Sequence, residues 1–247
     1  MGRWFGRLFK ELNYRVLIYS RKPETSNRAA RVLGVYPGSM EDVSHSDIVL
    51  VSVPMEAVTE ICRRLGERMK KGSALVEISA VKTGVEKLAE KIPEHIGFLS
   101  LHPLFGPDAR SVKGQNIAMV LNRENLWGCT LLEDLEKKGA KLVTMSSKDH
   151  DRYMACIQSL HHFALLSLGY TLKTCLCEVG FEEVLTRSMR STLRNLRSMQ
   201  KNLDTIIDIQ ENNPYSREAR ELFLRTVKEF AETKPREWTR KLGKTKV

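Results

Sequence analysis

The chain has 247 residues, enough for one large or two modest domains with real cores. Its 42% apolar and 28% charged content excludes disorder as the main theme, and its longest apolar run, 48–54, is far too short to cross a bilayer. A formal net charge of +10 invites nucleic acid as a partner, but Lys and Arg are scattered, dense only at 187–201 and after Lys234, and no aromatic-interleaved basic motif accompanies them; anionic small molecules account for the charge as well.

Neither a nucleic-acid nor a membrane partner is therefore expected, and without a signal-peptide pattern the expected location is cytoplasmic. Cys62, Cys129, Cys156, Cys175 and Cys177 are odd in number and lack C-x-x-C or Cys/His spacing. They read as reduced thiols, with no disulfide framework and no metal site.

Trp4, Phe5, Leu8, Phe9 and Leu12 recur at helical spacing, and 14–19 then reads as a strand. The near-continuous apolar run 47–54 is a strand covered on both faces, followed by a helix carrying Val58, Ile61, Cys62, Leu65 and Met69. Strands are predicted at 74–78, 98–101, 117–121 and 141–145, and helices at 85–91 and 131–138. This alternation indicates parallel βαβ units in a doubly wound α/β sheet. After Ser147 the texture becomes helical, at 151–172, 182–200, 203–210 and 216–233. The expected organisation is a Rossmann-like dinucleotide-binding domain at 1–147 and an all-α domain for substrate and dimerisation at 148–247, with a frayed basic tail.

A dinucleotide-binding sheet should open on a strand feeding a Gly-rich turn, whereas this chain opens on a helix. Gly2 suits the last glycine of G-x-G-x-x-G, where close helix–strand packing is needed. The first strand is thus expected to be missing, as in a truncated or mis-started reading frame. After the strand ending at Tyr19, Ser20-Arg21-Lys22 offers a hydroxyl and two cations but no acid to hold a ribose 2′-hydroxyl, which favours NADP over NAD. Val53-Pro54 closes another strand at the nucleotide edge.

Leu101-His102-Pro103-Leu104-Phe105-Gly106-Pro107-Asp108 places a histidine at the mouth of a strand, because Pro103, Gly106 and Pro107 interrupt regular structure. Ligands of open α/β sheets bind outside the carboxyl ends of strands, and a histidine there exchanges a proton near neutral pH. Lys148-Asp149-His150-Asp151-Arg152 opens the helical region, and His162 follows twelve residues after His150. Both histidines could reach the domain junction; the alternative is solvated helix-start charges for His150 and Asp151, and a core polar residue for His161 or His162. Arg187, Arg190, Arg194 and Arg197 form a stripe, either a solvated face or a carboxylate-binding one.

The segments 101–108, 77–84 and 149–164 together resemble the prephenate dehydrogenase family of tyrosine biosynthesis, over Gly2 to about Gln210. The H-P-L-F-G-P block and the H-D-x-x-M-A-x-I-Q-x-L-x-H-F-A helix carry the likeness. The resemblance implies a nucleotide-binding sheet domain followed by a helical domain that forms a homodimer, and an NAD(P)-linked oxidative decarboxylation of prephenate to 4-hydroxyphenylpyruvate. Arogenate is the alternative substrate, and a noncatalytic remnant the alternative to an enzyme. By resemblance His102 is the base at the ring hydroxyl and His162 helps hold the substrate. The family's substrate arginine falls on Arg197, with Arg194 one turn earlier as the alternate; Leu196-Arg197 departs from the family's Gly-Arg. The family's serine before Val-Lys is Ala80 here, leaving Ser79, one place earlier, as the candidate partner of His102.

Overall fold

Helix α1 (Gly2–Glu11) turns Trp4, Phe5 and Leu8 inward and leaves Arg3, Arg7, Lys10 and Glu11 less covered, the pattern of an amphipathic helix lying on a sheet. In the computed structural model, residues 1–175 and 181–243 are described; Cys177 and the last four residues of the basic tail lie outside them. The chain divides into two compact units, 1–150 and 151–247.

In the first unit α1 is followed by β1 (Leu17–Ile18), α2 (Pro23–Leu33), β2 (Tyr36–Pro37), α3 (Met40–Ser44), β3 (Ile48–Val51), α4 (Met55–Gly66), β4 (Ala74–Glu77), α5 (Val85–Glu90), β5 (Gly97–Pro103), β6 (Asn116–Arg123), α6 (Leu126–Lys137) and β7 (Lys141–Thr144). β1 and β2 form a parallel pair of their own, and the larger sheet has the order β3-β4-β5-β6-β7.

Alternate residues of the larger sheet feed two cores. Val76, Leu99, Leu101 and Ile117 pack with Trp4, Phe5 and Leu8 of α1 and with Leu131 and Leu135 of α6. Val49, Val51, Leu75 and Phe98 pack with Val58, Cys62 and Leu65 of α4 and with Val85 and Leu88 of α5. Both faces are thus covered, as the continuous apolar strands require. Burial also pushes the Cys62 thiol well above the usual range.

The expectations for β5 and β6 are corrected. β6 runs antiparallel to β5 rather than parallel, because the connecting stretch 104–115 holds no crossover helix to carry the chain back. β5 also continues through His102 to Pro103, since Pro103 aligns with Ile117 and the Leu104 N–H donates to the Asn116 carbonyl. His102 is therefore the penultimate strand residue.

The region predicted as one helix over 151–172 contains three pieces: α7 (Ser147–Met154), a π-helix at Ala155–Leu160, and α8 (His161–Cys175). The Ser159 carbonyl within the π-turn accepts from Gln210 Nε2 at 2.7 Å, which satisfies a backbone acceptor at the irregularity. A 3₁₀ turn at Phe181–Val184 precedes α9 (Arg187–Gln200), so the helix expected from residue 182 begins later, at the Thr186 cap that accepts from the Met189 N–H. α10 (Leu203–Asn212) and α11 (Ser216–Glu232) follow. The tail expected to fray forms a 3₁₀ turn at Pro235–Glu237 and α12 (Trp238–Leu242), and Trp238 Nε1 lies 3.2 Å from the Phe230 and Thr233 carbonyls. Among the described residues no helix is long and apolar enough to cross a membrane.

Candidate active site

β4 ends on Glu77, a carboxylate in an otherwise apolar strand, with 1% of its side chain exposed. Such a group requires a full set of donors. Glu77 Oε1 accepts from Lys82 Nζ at 2.6 Å and from the Ser100 hydroxyl, and Oε2 accepts from the Ser79 N–H at 2.8 Å. The Ser79 hydroxyl lies 2.6 Å from Glu77 Oε2 and 3.0 Å from the Val81 carbonyl, and its single hydrogen serves one of them at a time. Lys82 Nζ also donates to the Leu101 carbonyl at 2.8 Å. A buried ion pair thereby ties the 78–83 loop to the residue before His102.

His102 is 4% exposed, and its Nδ1 lies 2.8 Å from Nε2 of His150, a residue with no exposed surface. The rings meet edge-on, with centroids 5.1 Å apart. Ser146 positions His150: its hydroxyl accepts from the Asp149 N–H and donates to the Asp149 carboxylate, which fixes the first turn of α7. Burial, the Lys82 cation and His150 hold the imidazolium form of His102 well below the ordinary histidine range. At neutral pH His102 is a neutral imidazole, able to take a proton.

The candidate cofactor residues lie in this same unit, beside strand ends or at helix starts. Gly2 opens α1, where a Cβ would stand 3.4 Å from Cβ of Ser52, just beyond β3. Val53 and Pro54 follow β3, and Pro54 caps α4. Ser20, Arg21 and Lys22 lie between β1 and α2, and Lys22 is the cap of α2. Ser20 lines an open cleft of about 390 Å³ with Tyr19, Ser26, Asn27, Gly38, Ser39 and the acid Asp42. Backbone N–H groups at the starts of α1, α2 and α4 suit a phosphorylated nucleotide, whereas in the cleft the Ser39 hydroxyl already donates to Asp42.

In the second unit His162 lies in the first turn of α8, and its Nδ1 is buried without a hydrogen-bond partner, as is the Ser159 hydroxyl one turn earlier. Burial and then His161 lower the pKa of His162. Arg187, Arg190, Arg194 and Arg197 are exposed on α9, while Leu196 and Met199 anchor the opposite face.

The structure thus joins His102 to His150, and links Ser79 to the adjoining backbone through Glu77 and Lys82. Sequence reasoning missed Glu77, Lys82, Ser100 and the cleft residues Asn27, Gly38 and Ser39. The signal for the first two was a charge within an apolar strand and an opposite charge five residues on. His150 and Asp151 are buried, at 0% and 1% exposed, which removes the alternative reading of them as solvated helix-start charges.

Residues 5–142 match the family model described as prephenate dehydrogenase, nucleotide-binding domain. Over 244 residues, 94% of this chain and 54% of the relative, the sequence is 29% identical to a probable arogenate/prephenate dehydrogenase of Methanocaldococcus jannaschii. It is 33% identical to the T-protein of Haemophilus influenzae over 53% of this chain and 34% of that protein, so the chain spans about half or less of the length of these curated relatives. The crystal structure of prephenate dehydrogenase from A. aeolicus in complex with hydroxyphenyl propionate and NAD⁺ has the same fold, with a TM-score of 0.75 at 20% identity over 98% of this chain and 92% of that one. A match across more than half of the chain, on a two-faced α/β sheet followed by helices, makes this chain a member of the prephenate dehydrogenase family.

Proposed function

We propose that the protein is an NAD(P)-dependent dehydrogenase of tyrosine biosynthesis that converts prephenate to 4-hydroxyphenylpyruvate, with NADP as the preferred nucleotide. The observation that carries this reading is the buried, neutral His102 at the carboxyl end of β5, hydrogen-bonded through Nδ1. A base in that position takes the proton of a ring hydroxyl as the carbon beneath it loses hydride. The ring carboxylate leaves as carbon dioxide, its bonding electrons complete the aromatic ring, and aromatisation drives the reaction.

Gly2, Val53 and Pro54 would hold the nucleotide at the starts of α1 and α4, and Ser20, Arg21 and Lys22 a 2′-phosphate beside the cleft. The nicotinamide, when bound, supplies the hydride acceptor. Ser79 would support the loop beside His102. His162, with an unsatisfied buried nitrogen, and Arg197 or Arg194, with exposed guanidiniums, would bind the substrate's carboxylates. A homodimer is supported by α8: it carries Phe163, Leu165, Leu166, Leu168 and Leu172, and none of its residues is buried.

The test is the appearance of reduced nicotinamide with prephenate and with arogenate, each against NADP and NAD. Turnover of prephenate with NADP at the highest kcat/KM supports the proposal. Faster turnover of arogenate replaces the substrate, and no turnover in any combination overturns the enzymatic reading. His102→Asn should lower kcat by about 10²–10⁴-fold while the nucleotide Kd holds; near-normal turnover removes the histidine from the chemistry.

A further inference from the structure

β3, β4 and β5 run parallel, so their carboxyl ends share one edge of the larger sheet, outside which ligands of open α/β sheets bind. Gly2, at the start of α1, packs at that edge against Ser52, just beyond β3, and residues 104–115 leave β5 there after His102 and Pro103. Trp4 joins these two pieces. From the first turn of α1 its Nε1 donates to the Ala109 carbonyl at 2.7 Å, and its ring meets that of Phe105 with centroids 4.7 Å apart. Phe105 and Ala109 flank an exposed tip, 106–108, closed as a turn by the Ala109 N–H donating to the Gly106 carbonyl at 3.1 Å. The indole therefore holds the tip at both of its ends. The roots of the loop are held separately, by the Leu104 N–H on the Asn116 carbonyl and by Val112, buried in the same core as Trp4.

We propose that Trp4 is a positioning residue that couples nucleotide to substrate: nucleotide held at the start of α1 steadies the 106–108 tip through the indole, and the ring-bearing substrate beside His102 then binds more tightly. This inference rests on the reading of α1 as a nucleotide-binding helix. The coupling needs no change of shape. A ligand that fixes the first turn of α1 also fixes the donor of the Ala109 carbonyl, so part of the ordering of the tip is complete before substrate arrives. The effect is reciprocal, and substrate tightens nucleotide by the same factor. Phenylalanine at position 4 keeps a ring for Phe105 to meet but has no hydrogen to donate to Ala109, which separates the link from the packing.

The test is hydrogen exchange of the full chain with and without saturating NADP or NAD, whichever binds more tightly, together with the Kd of that nucleotide with and without 4-hydroxyphenylpyruvate. This product of the proposed reaction gives no turnover with oxidised nucleotide. In the wild type the nucleotide should slow exchange at the start of α1 and also at the Leu104 and Ala109 amides, and 4-hydroxyphenylpyruvate should lower the nucleotide Kd about fivefold to tenfold. In Trp4→Phe the protection of α1 should remain, that of the Ala109 amide should vanish, and the tightening should fall below about twofold, with the Kd of nucleotide alone within about twofold of wild type. Leu8→Ala, which cuts into the same core without touching the indole's hydrogen bond, should keep both the protection and the coupling. No protection of the Ala109 amide in the wild type overturns the proposal, whether or not the variant folds. Coupling that survives in Trp4→Phe, or is lost equally in Leu8→Ala, overturns it too. Failure of either nucleotide to bind or to protect α1 would instead sink the nucleotide reading on which the proposal rests.

Discussion

Lys82→Met tests how much of the site depends on one buried ion pair. Lys82 and Glu77 have 0% and 1% of their side chains exposed, so the substitution leaves a carboxylate in the interior without its cation. Breaking a buried pair from one side costs about 3–5 kcal/mol. Glu77 keeps the Ser79 N–H and the Ser79 and Ser100 hydroxyls as donors, which favours the low end, whereas the Leu101 carbonyl loses its lysine donor, worth about 1 kcal/mol. Methionine nearly fills the lysine volume, so no large cavity term is added. The expected loss is about 3–4 kcal/mol, or a drop of roughly 1–2 M in the urea midpoint at m-values of about 2–3 kcal/mol/M. Hydrogen exchange of β4 and β5 amides across a urea series confines the measurement to the first unit. Glu77→Gln/Lys82→Met should be more stable than Lys82→Met alone, because the orphaned charge is gone. A single substitution costing under about 1 kcal/mol, or a double mutant whose cost is the sum of both singles, would refute the reasoning.

Three further outcomes are expected. Gly97→Ala would place a Cβ 2.3 Å from Cγ of Asn125, whose amide donates to the Gly72 and Ser73 carbonyls and whose oxygen caps α6; a loss of about 2–3 kcal/mol is expected, and an unchanged melting temperature would contradict it. Because the folded-state pKa of His102 lies below the ordinary 6.5, the unfolded chain binds more protons in the interval between the two values. Its contribution is complete above about pH 6.5 and falls as pH drops, by up to about 1.4 kcal/mol per pH unit, and His162 acts in the same direction. Urea titrations at pH 7.5 and 5.5 should show the loss, and His102→Asn should flatten the slope; a slope unchanged in that variant would refute the assignment. Arg197→Ala should raise KM for prephenate by about 10–100-fold with nucleotide binding intact, and a larger effect from Arg194→Ala would move the carboxylate site one turn earlier.

The larger sheet was legible because its strands are buried on both faces and read as unbroken apolar runs, 47–54 and 74–78 above all. α2, β2 and α3 went unread. α2 buries only Ser26, Ala29 and Ala30, which gives no apolar stripe, and β2 is two residues long. The antiparallel β5–β6 pairing was hidden because a strand's residue pattern does not record its direction. At the site, His102 was legible from the glycines and prolines around it. His150 was masked by Lys148, Asp149 and Arg152, whose charges made a buried ring resemble a solvated one. Glu77 and Lys82 escaped for the opposite reason: periodicity shows which face is covered, and a buried ion pair violates that rule locally.

The order β3-β4-β5-β6-β7 has a consequence for how this half of the chain assembles. Every strand of the larger sheet after the first pairs with the strand made just before it, so no pairing waits for a distant segment and each closure spans a modest loop. Such a sheet can grow by addition at one edge as the chain emerges from the ribosome. His150 follows β7 in the chain, so His102 can meet it only once the segment that carries every strand of the larger sheet has been made. The candidate base therefore lacks this partner until all five strands of the larger sheet have been synthesised.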